Sequence, residues 1–195
     1  LMGDVGLPGA VVKVADAGGQ KAIWDVRTSG LNIMMSMKDE GKPVSFGEDC
    51  AVPLEHLAEY TSRLTDVFEK HGTRGTWYAH ASVGCLHVRP VLNLRLDKDV
   101  KVMRAIAEEA FAMVRDYKGS HSGEHGDGIG RSEFHEFMFG KRLVRAFEEV
   151  KTRFDPKGLF NPGKIVNAPK FDDRDYFRFK PGYRGEDIKT QLDWS

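Results

Sequence analysis

Two histidines lie seven residues apart in the segment His80-Ala81-Ser82-Val83-Gly84-Cys85-Leu86-His87. On a continuous strand this odd spacing would direct the two imidazoles to opposite faces. The flanking aromatic and β-branched residues favour strands, and Gly84 favours a turn between them. A turn would bring both rings towards one point, where they could bind a metal. The alternative is that both are partly buried histidines that pack beside Trp77 and Tyr78.

A second set of reactive side chains lies in the glycine-rich segment Gly123-Glu124-His125-Gly126-Asp127-Gly128-Ile129-Gly130-Arg131. In an extended backbone, Glu124 and His125 would point in different directions, so that one could face a metal and the other a substrate beside it. One alternative is a flexible surface loop. Another is a phosphate-binding loop, which is disfavoured because the segment follows a helix and lacks the usual Lys-Ser/Thr ending.

Together, His80, His87 and Glu124 form a set of two imidazoles and one carboxylate. That set is typical of a catalytic divalent metal that keeps positions open for water or substrate. Nitrogen and oxygen ligands suit zinc, iron or manganese, and the sequence does not choose among them. Cys85 is a single thiol, and we expect it to be a small packed residue rather than a ligand.

Two further features carry weaker signals. Arg27 could bind a substrate carboxylate because a guanidinium matches carboxylate geometry, but a surface or helix-capping arginine is the simpler interpretation. The segment from Phe154 to Lys164 contains Asp155-Pro156 and Asn161-Pro162-Gly163-Lys164, and its composition indicates a helix end followed by turns.

Hydrophobic periodicity indicates the elements that must position these residues. Helices are predicted over about residues 19–29, from Pro53 to Gly72, from Asp97 to Gly119, and from Glu133 to Arg153 with a break at Gly140. Strands are predicted over Lys42–Phe46, Thr76–Ala79 and Leu86–Leu92, and residues 30–37 are ambiguous. Proline cannot donate to a sheet ladder, so Pro90 should lie on an edge strand or at a bulge. This pattern predicts an α+β fold, with an antiparallel, ferredoxin-like sheet and helices on one face.

The composition narrows the classes of function. The 195 residues are 41% hydrophobic and 30% charged, with 29 basic and 29 acidic residues, so nothing favours nucleic-acid binding. No apolar run approaches the roughly 18 residues of a membrane span. The two cysteines are too few for an iron–sulfur cluster, which normally takes about four ligands, and they favour a reducing, cytoplasmic location.

In this order and at these separations, the motifs resemble the C-terminal half of FAD-linked oxidases of the vanillyl-alcohol oxidase superfamily. The likeness is greatest to D-lactate, glycolate and D-2-hydroxyglutarate dehydrogenases, and among these to bacterial proteins with an iron–sulfur region after the flavin module. It runs from about Ile23 to the end, most strongly over Trp24–Arg27, Pro43–Pro53, His80–Pro90, Ser122–Arg131 and Phe154–Val166. Inside the two-histidine segment, Ser82, Val83 and Cys85 stand where many relatives have Asp and Asn.

The resemblance implies a role for each candidate residue. His80, His87 and Glu124 would bind the divalent metal, His125 would be the active-site base, and Arg27 would bind the substrate carboxylate. Asn161, Gly163 and Lys164 would contact FAD, since the C-terminal helical segment returns to the flavin domain that holds most of this cofactor.

We therefore expect a fragment of an FAD-dependent dehydrogenase that oxidises a D-2-hydroxy acid to a 2-oxo acid. Residues 1–118 would form the substrate domain, 119–168 the active-site loop and the flavin-contacting helical segment, and 169–195 a linker to a downstream iron–sulfur region. The expected partners are a small 2-hydroxy acid, the flavin domain of the same polypeptide and an unidentified electron acceptor. A homodimer and peripheral membrane association are further expectations. The alternatives are a metal-free flavin oxidase fragment and a non-catalytic, metal-stabilised interaction domain.

Overall fold

The computed structural model describes residues 12–185 and residue 191. The helices are α1 (Ala17–Met35), α2 (Leu57–Lys70), α3 (Asp97–Asp116), α4 (His135–Phe139) and α5 (Lys141–Phe154). The strands are β1 (Lys42–Pro43), β2 (Cys50–Ala51), β3 (Gly75–His80) and β4 (Cys85–Leu92). Short 3₁₀ turns cover Leu54–His56, Ala81–Val83, Ser132–Phe134 and Arg174–Tyr176. The chain divides into two compact units, Leu1–Lys38 and Asp39–Ser195. The boundaries expected at residues 118 and 168 separate functional parts and stay a prediction.

Helix α1 belongs to the first unit. Its N-terminus is capped by Asp16, whose carboxylate accepts a hydrogen bond of 2.6 Å from the N–H of Gly19. The predicted helix over residues 19–29 is present and continues to Met35, so most of the ambiguous segment 30–37 is helical. None of the residues of α1 is buried, and the side chains of Ile23 and Val26 are exposed.

The second unit contains a four-stranded antiparallel sheet with β4 at its centre. Strand β3 pairs with β4 along one side, while β1 and β2 pair with its two ends along the other. Together with the helices, this sheet confirms the predicted α+β class. The predicted strand over Lys42–Phe46 is shorter than expected, because only Lys42 and Pro43 join the sheet.

The placement of Pro90 on an edge strand or at a bulge was wrong, because β4 is flanked on both sides. Pro90 is accommodated because the strands on one side are short. Strand β1 ends opposite Val91 and β2 begins opposite Leu86, so Pro90 lies between the two pairings. The carbonyl of Pro90 still accepts a hydrogen bond of 2.8 Å from the N–H of Val44. The missing N–H therefore falls in the gap between β1 and β2.

The two faces of β4 have different roles, because its side chains alternate. Leu86, Val88 and Leu92 lie in the hydrophobic core beneath α2 and α3. The core positions of the two helices include Tyr60, Leu64, Phe68, Ile106, Ala107, Ala110, Phe111 and Val114. The intervening residues of β4, His87 and Arg89, point to the opposite face. The packed core therefore holds the strand that carries the candidate metal ligand.

The C-terminal part of the second unit consists of two helices and a long irregular stretch. The break predicted at Gly140 is present: it separates α4 from α5, and its φ of 81° suits glycine. The first part of the predicted linker is packed, because Phe171 lies in the core against Phe46 and Phe134. Within the described part of the chain, every helix is too short or too polar to cross a lipid bilayer.

Candidate metal centre

The hairpin between β3 and β4 brings His80 and His87 together. Tyr78 pairs with His87 and His80 with Cys85, so the two histidines are diagonal neighbours on one face of the sheet. The chain reverses through a 3₁₀ turn that ends at Gly84, whose φ is 70°. A Cβ at this glycine would lie 2.0 Å from the carbonyl oxygen of Val52, so only glycine fits. The two ring centroids are 5.0 Å apart, as the expected turn requires.

Three imidazoles converge on one carboxylate oxygen. Oε1 of Glu124 lies 2.8 Å from Nε2 of His87, 3.3 Å from Nε2 of His80 and 3.5 Å from Nε2 of His125. His87 is buried, whereas the side chains of Glu124, His80 and His125 are 40–44% exposed. The cluster therefore has a closed side formed by the sheet and an open side that a small molecule could reach.

The contact at Nδ1 determines which tautomer the neutral ring of His87 adopts. Nδ1 lies 3.1 Å from the backbone carbonyl oxygen of Glu48, and a carbonyl can only accept a hydrogen bond. In the neutral ring, Nδ1 therefore carries the proton and Nε2 presents a lone pair to the Glu124 carboxylate. Two acceptors 2.8 Å apart repel unless a cation or an extra proton lies between them. A histidine whose other N–H is held by a backbone carbonyl is the usual arrangement of a metal ligand.

Asp49 positions the segment that carries Glu124 and His125. Its buried carboxylate accepts hydrogen bonds from the backbone N–H groups of Glu124, at 3.0 Å, and His125, at 2.7 Å. The hydroxyl of Ser122 donates a further bond of 3.2 Å. Burial alone would raise the pKa of Asp49, but the two backbone N–H groups and the nearby charges of His125 and Arg131 hold it below its ordinary value. Asp49 is therefore ionised and fixes the loop beneath the site.

We expect Asp49→Asn to destabilise the chain by about 2 kcal/mol, because hydrogen bonds to a charged acceptor are strong and the new amide N–H₂ group faces backbone donors. Metal affinity should fall as well, since Glu124 loses its anchor. Urea unfolding and zinc titration measure the two effects. The exposed Asp66→Asn is the matched control and should change neither quantity. An Asp49→Asn chain with the stability of the control would exclude this positioning role.

His125 faces the same point as Glu124, contrary to the divergence expected for an extended backbone. The segment bends at residues 123–125 rather than running straight, so the two adjacent side chains converge. The ring of His125 stacks on that of His87, with a centroid distance of 4.8 Å and an interplanar angle of 10°. Its Nδ1 lies 3.4 Å from Oε1 of Glu48. Its Nε2 is thereby directed towards the centre of the cluster.

Glu48 was not identified as a site residue from the sequence. It is buried, and its carboxylate pairs with Nε of Arg89 at 3.2 Å and lies 4.0 Å from a guanidinium nitrogen of Arg131. Arg131 also donates a hydrogen bond of 2.7 Å to the carbonyl of Gly126. These two arginines compensate the buried negative charge beside His125. The sequence signal that could have identified it is the presence of two adjacent acidic residues, Glu48 and Asp49, in the otherwise uncharged stretch from Phe46 to Val52.

A second donor set overlaps the predicted one. Ligand atoms of Asp49, Cys85, His87 and Glu124 lie within 4.8 Å of one another, which raises the question of whether Asp49 and Cys85 replace His80. Burial raises the pKa of Cys85 to about 11, and the neighbouring charges of Asp49 and Glu124 act in the same direction. Asp49 already accepts backbone hydrogen bonds with both oxygens. The Cys85 thiol in turn donates a hydrogen bond of 3.6 Å to Asp49, so both side chains already have partners inside the protein, which favours His80 as the ligand.

The predicted flavin-contacting residues lie beside an open groove of about 740 Å³. Asn161 and Lys164 line it with the side chains of Phe154 and Phe160, which are 85% and 69% exposed. Asp155 holds the turn, because its carboxylate accepts hydrogen bonds of 2.9 Å from the N–H groups of Leu159 and Phe160 and pairs with Lys151. The ion pair with Lys151 and these bonds lower the pKa of Asp155 to about 2.

The remaining candidates differ in what the structure shows. Gly163 has a φ of 73° and shapes the turn between Asn161 and Lys164. Arg27 lies on α1, in the first unit, and not in the second unit that contains the histidine cluster. Its role at a substrate carboxylate remains a prediction.

Comparison with known proteins identifies one family and several related enzymes. The family described as FAD linked oxidases, C-terminal domain, matches residues 4–165. The D-2-hydroxyglutarate dehydrogenase of Escherichia coli (strain K12) is 34% identical over 154 residues, which cover 79% of this chain and 15% of that protein. The D-lactate dehydrogenase of Anaerostipes hadrus is 31% identical over 148 residues, covering 75% and 30% of the two chains. The glycolate oxidase subunit GlcD of Bacillus subtilis (strain 168) is 26% identical over 144 residues, covering 74% and 30%. The chain therefore spans less than a third of the length of these relatives.

Proposed function

Because the chain belongs to the family of FAD-linked oxidase C-terminal domains, we propose that it forms the substrate- and metal-binding part of an FAD-dependent dehydrogenase. The proposed reaction is the oxidation of a small D-2-hydroxy acid to the 2-oxo acid. The observation that carries this proposal is the convergence of three imidazoles on Oε1 of Glu124, over one face of the sheet and open on its outer side.

The donor set fits a divalent metal. His80, His87 and Glu124 supply two nitrogens and an oxygen, and the Glu48 carbonyl holds Nδ1 of His87 so that Nε2 is available as a ligand. A metal bound there would act as a Lewis acid that orients the hydroxyl group of the substrate and lowers its pKa. The half-exposed side of the cluster leaves room for that substrate.

The proposed base is His125, which would accept the proton of the substrate hydroxyl. Nδ1 of His125 lies 3.4 Å from the Glu48 carboxylate, and with the proton on that nitrogen the lone pair of Nε2 would be directed into the cluster. A buried carboxylate that orients a histidine in this way also stabilises the imidazolium that forms when Nε2 takes up the proton. Arg89 lies 3.2 Å and Arg131 4.0 Å from the Glu48 carboxylate, so two positive charges face it from its own side of the site.

The groove lined by Asn161 and Lys164 is the proposed contact with FAD. FAD, when bound, supplies the two-electron acceptor for the oxidation. The exposed rings of Phe154 and Phe160 at this groove are suited to burial beneath a flavin-binding domain. Asp155 fixes the turn, so that the backbone at Gly163 and the side chains of Asn161 and Lys164 are held in place.

The most direct test is anaerobic reduction of the flavin in the intact polypeptide that carries this chain. D-2-hydroxyglutarate is the first acid to test, because it is in the name of relatives that are 34–35% identical; D-lactate and glycolate follow. We expect a D-2-hydroxy acid to bleach the flavin absorbance, treatment with a chelator to slow this strongly, and added zinc or manganese to restore it. Reduction that is insensitive to chelation would favour a metal-free flavin oxidase. No reduction by any 2-hydroxy acid would favour a non-catalytic interaction domain.

A further inference from the structure

A second group of metal-ligating side chains lies behind the same glycine-rich loop. His121, Asp127 and His135 each direct a nitrogen or oxygen atom to a common region, with all of these atoms within 4.8 Å of one another. Nε2 of His135 lies 3.1 Å from Oδ2 of Asp127, and Nε2 of His121 lies 3.6 Å from Oδ1. This group shares no residue with the cluster around Glu124.

The two histidines are buried in an aromatic pocket. His121 is 0% exposed and His135 is 2% exposed. The rings of Phe111 and Phe139 pack edge-on against His121, with centroids 5.4 and 5.5 Å away, and Phe147 lies 6.1 Å from His135. Polar atoms in such surroundings are costly unless they are paired.

Within the described residues, this pairing is incomplete. Nε2 of His135 and Oδ1 of Asp127 are buried without a hydrogen-bond partner, and the ring nitrogens of His121 have at most a weak contact with the backbone of Arg131. Buried polar atoms without partners are rare in folded proteins, and several of them directed at one region call for an occupant. Burial also keeps the pKa of His121 below its ordinary value, although Asp127 opposes this, so the ring favours its neutral form.

The second nitrogen of His135 is held as in a metal ligand. Its Nδ1 lies 3.1 Å from the carbonyl oxygen of Ile165, which can only accept, so the proton sits on Nδ1 and Nε2 presents a lone pair to Asp127. Ile165 has a φ of 66°, a conformation that β-branched residues rarely adopt. Its N–H donates a bond of 3.0 Å to the hydroxyl of Ser132. Both the N–H and the carbonyl of Ile165 are therefore engaged, which fixes the carbonyl that contacts His135.

We propose that His121, Asp127 and His135 form a second binding site, for a divalent first-row transition metal such as zinc. Such ions prefer a donor set of two neutral imidazoles and a carboxylate. Calcium and magnesium prefer oxygen ligands, so this set disfavours them. The partly exposed side chain of Asp127 provides the route of entry. Through Ile165, the bound ion would stabilise the turn that contains Asn161 and Lys164. The site does not depend on the proposed dehydrogenase activity.

The test measures zinc binding to the 195-residue chain after removal of all metal by chelation. In the His80→Ala/Glu124→Gln chain, whose first site is destroyed, we expect one equivalent of zinc to bind and to raise the melting temperature. Adding Asp127→Asn or His135→Gln should weaken this binding by about 100-fold or more. Adding the exposed Asp116→Asn should leave it unchanged.

Circular dichroism and a cooperative melting curve show whether each variant is folded. A folded His80→Ala/Glu124→Gln chain that binds no zinc, manganese or iron, with an unchanged melting temperature, would overturn the proposal. So would zinc binding that survives both Asp127→Asn and His135→Gln at full affinity, since the ion would then lie elsewhere. Failure of the dehydrogenase assay would leave this outcome unaffected, because the background variant already lacks the first site.

Discussion

Replacing His125 with alanine is expected to lower the rate of flavin reduction in the intact protein by about 100- to 10,000-fold, the usual contribution of a general base. Substrate affinity should change little, since the proposed metal ligands and the groove remain. His125 is half exposed, so its removal leaves no large buried cavity. Stopped-flow measurement of flavin bleaching separates the rate of the chemical step from the affinity.

Two controls make the His125 result specific. His56→Ala removes a histidine that stacks on Tyr117, away from the cluster, and should leave the rate unchanged. Added imidazole should partly restore flavin reduction in His125→Ala, because a free base can occupy the vacated space. Flavin reduction at the normal rate in His125→Ala would remove this residue from the mechanism. A loss accompanied by unfolding would instead show a structural role.

Replacing Glu124 with glutamine is expected to weaken metal binding by about 100-fold or more, and to lower the rate of flavin reduction in parallel. Glutamine keeps the size of the side chain and removes the negative charge on which the three imidazoles converge. It is a cleaner change than His87→Ala, which would leave the Glu48 carbonyl without its donor and open a buried cavity. Metal analysis and zinc titration report the first effect directly.

The exposed Glu149→Gln is the matched control for Glu124→Gln and should retain full metal content. Excess zinc or manganese should partly rescue flavin reduction in Glu124→Gln, because the change affects affinity more than the chemistry. If Glu124→Gln bound metal as tightly as the unaltered protein, Glu124 would not be a ligand. The overlapping set of Asp49, Cys85 and His87 would then be the remaining candidate at this position.

Local sequence signals accounted for the hairpin that carries the two histidines. Gly84 between two strand-like segments predicted a turn, and the structure places both rings on one face through the register of β3 and β4. The helical stripes of α2 and α3 were predictable for the same reason, since residues three and four positions apart share a face. The end of α1 was less clear, because residues 30–37 are mostly apolar and show no clear helical or strand period.

Long-range contacts explain what the sequence did not reveal. Asp49 supports Glu124 from 75 residues away, and no local pattern links the two. Glu48 and its arginine partners likewise meet only after the sheet and the glycine-rich loop come together. The prediction for Pro90 was wrong because a central strand can contain proline where a gap, here between β1 and β2, faces the missing N–H. That gap is a property of the whole sheet. The edge-on contact between the rings of His121 and His135 is likewise visible only in the folded chain.

The central claim is that His80, His87 and Glu124 hold one metal ion beside His125. A crystal structure of the zinc- or manganese-loaded protein, with anomalous data at the absorption edge of the metal, tests it most directly. The predicted result is a peak about 2.0–2.2 Å from Nε2 of both histidines and from a carboxylate oxygen of Glu124. A fully loaded protein whose anomalous peaks all lie away from these three side chains would contradict the claim.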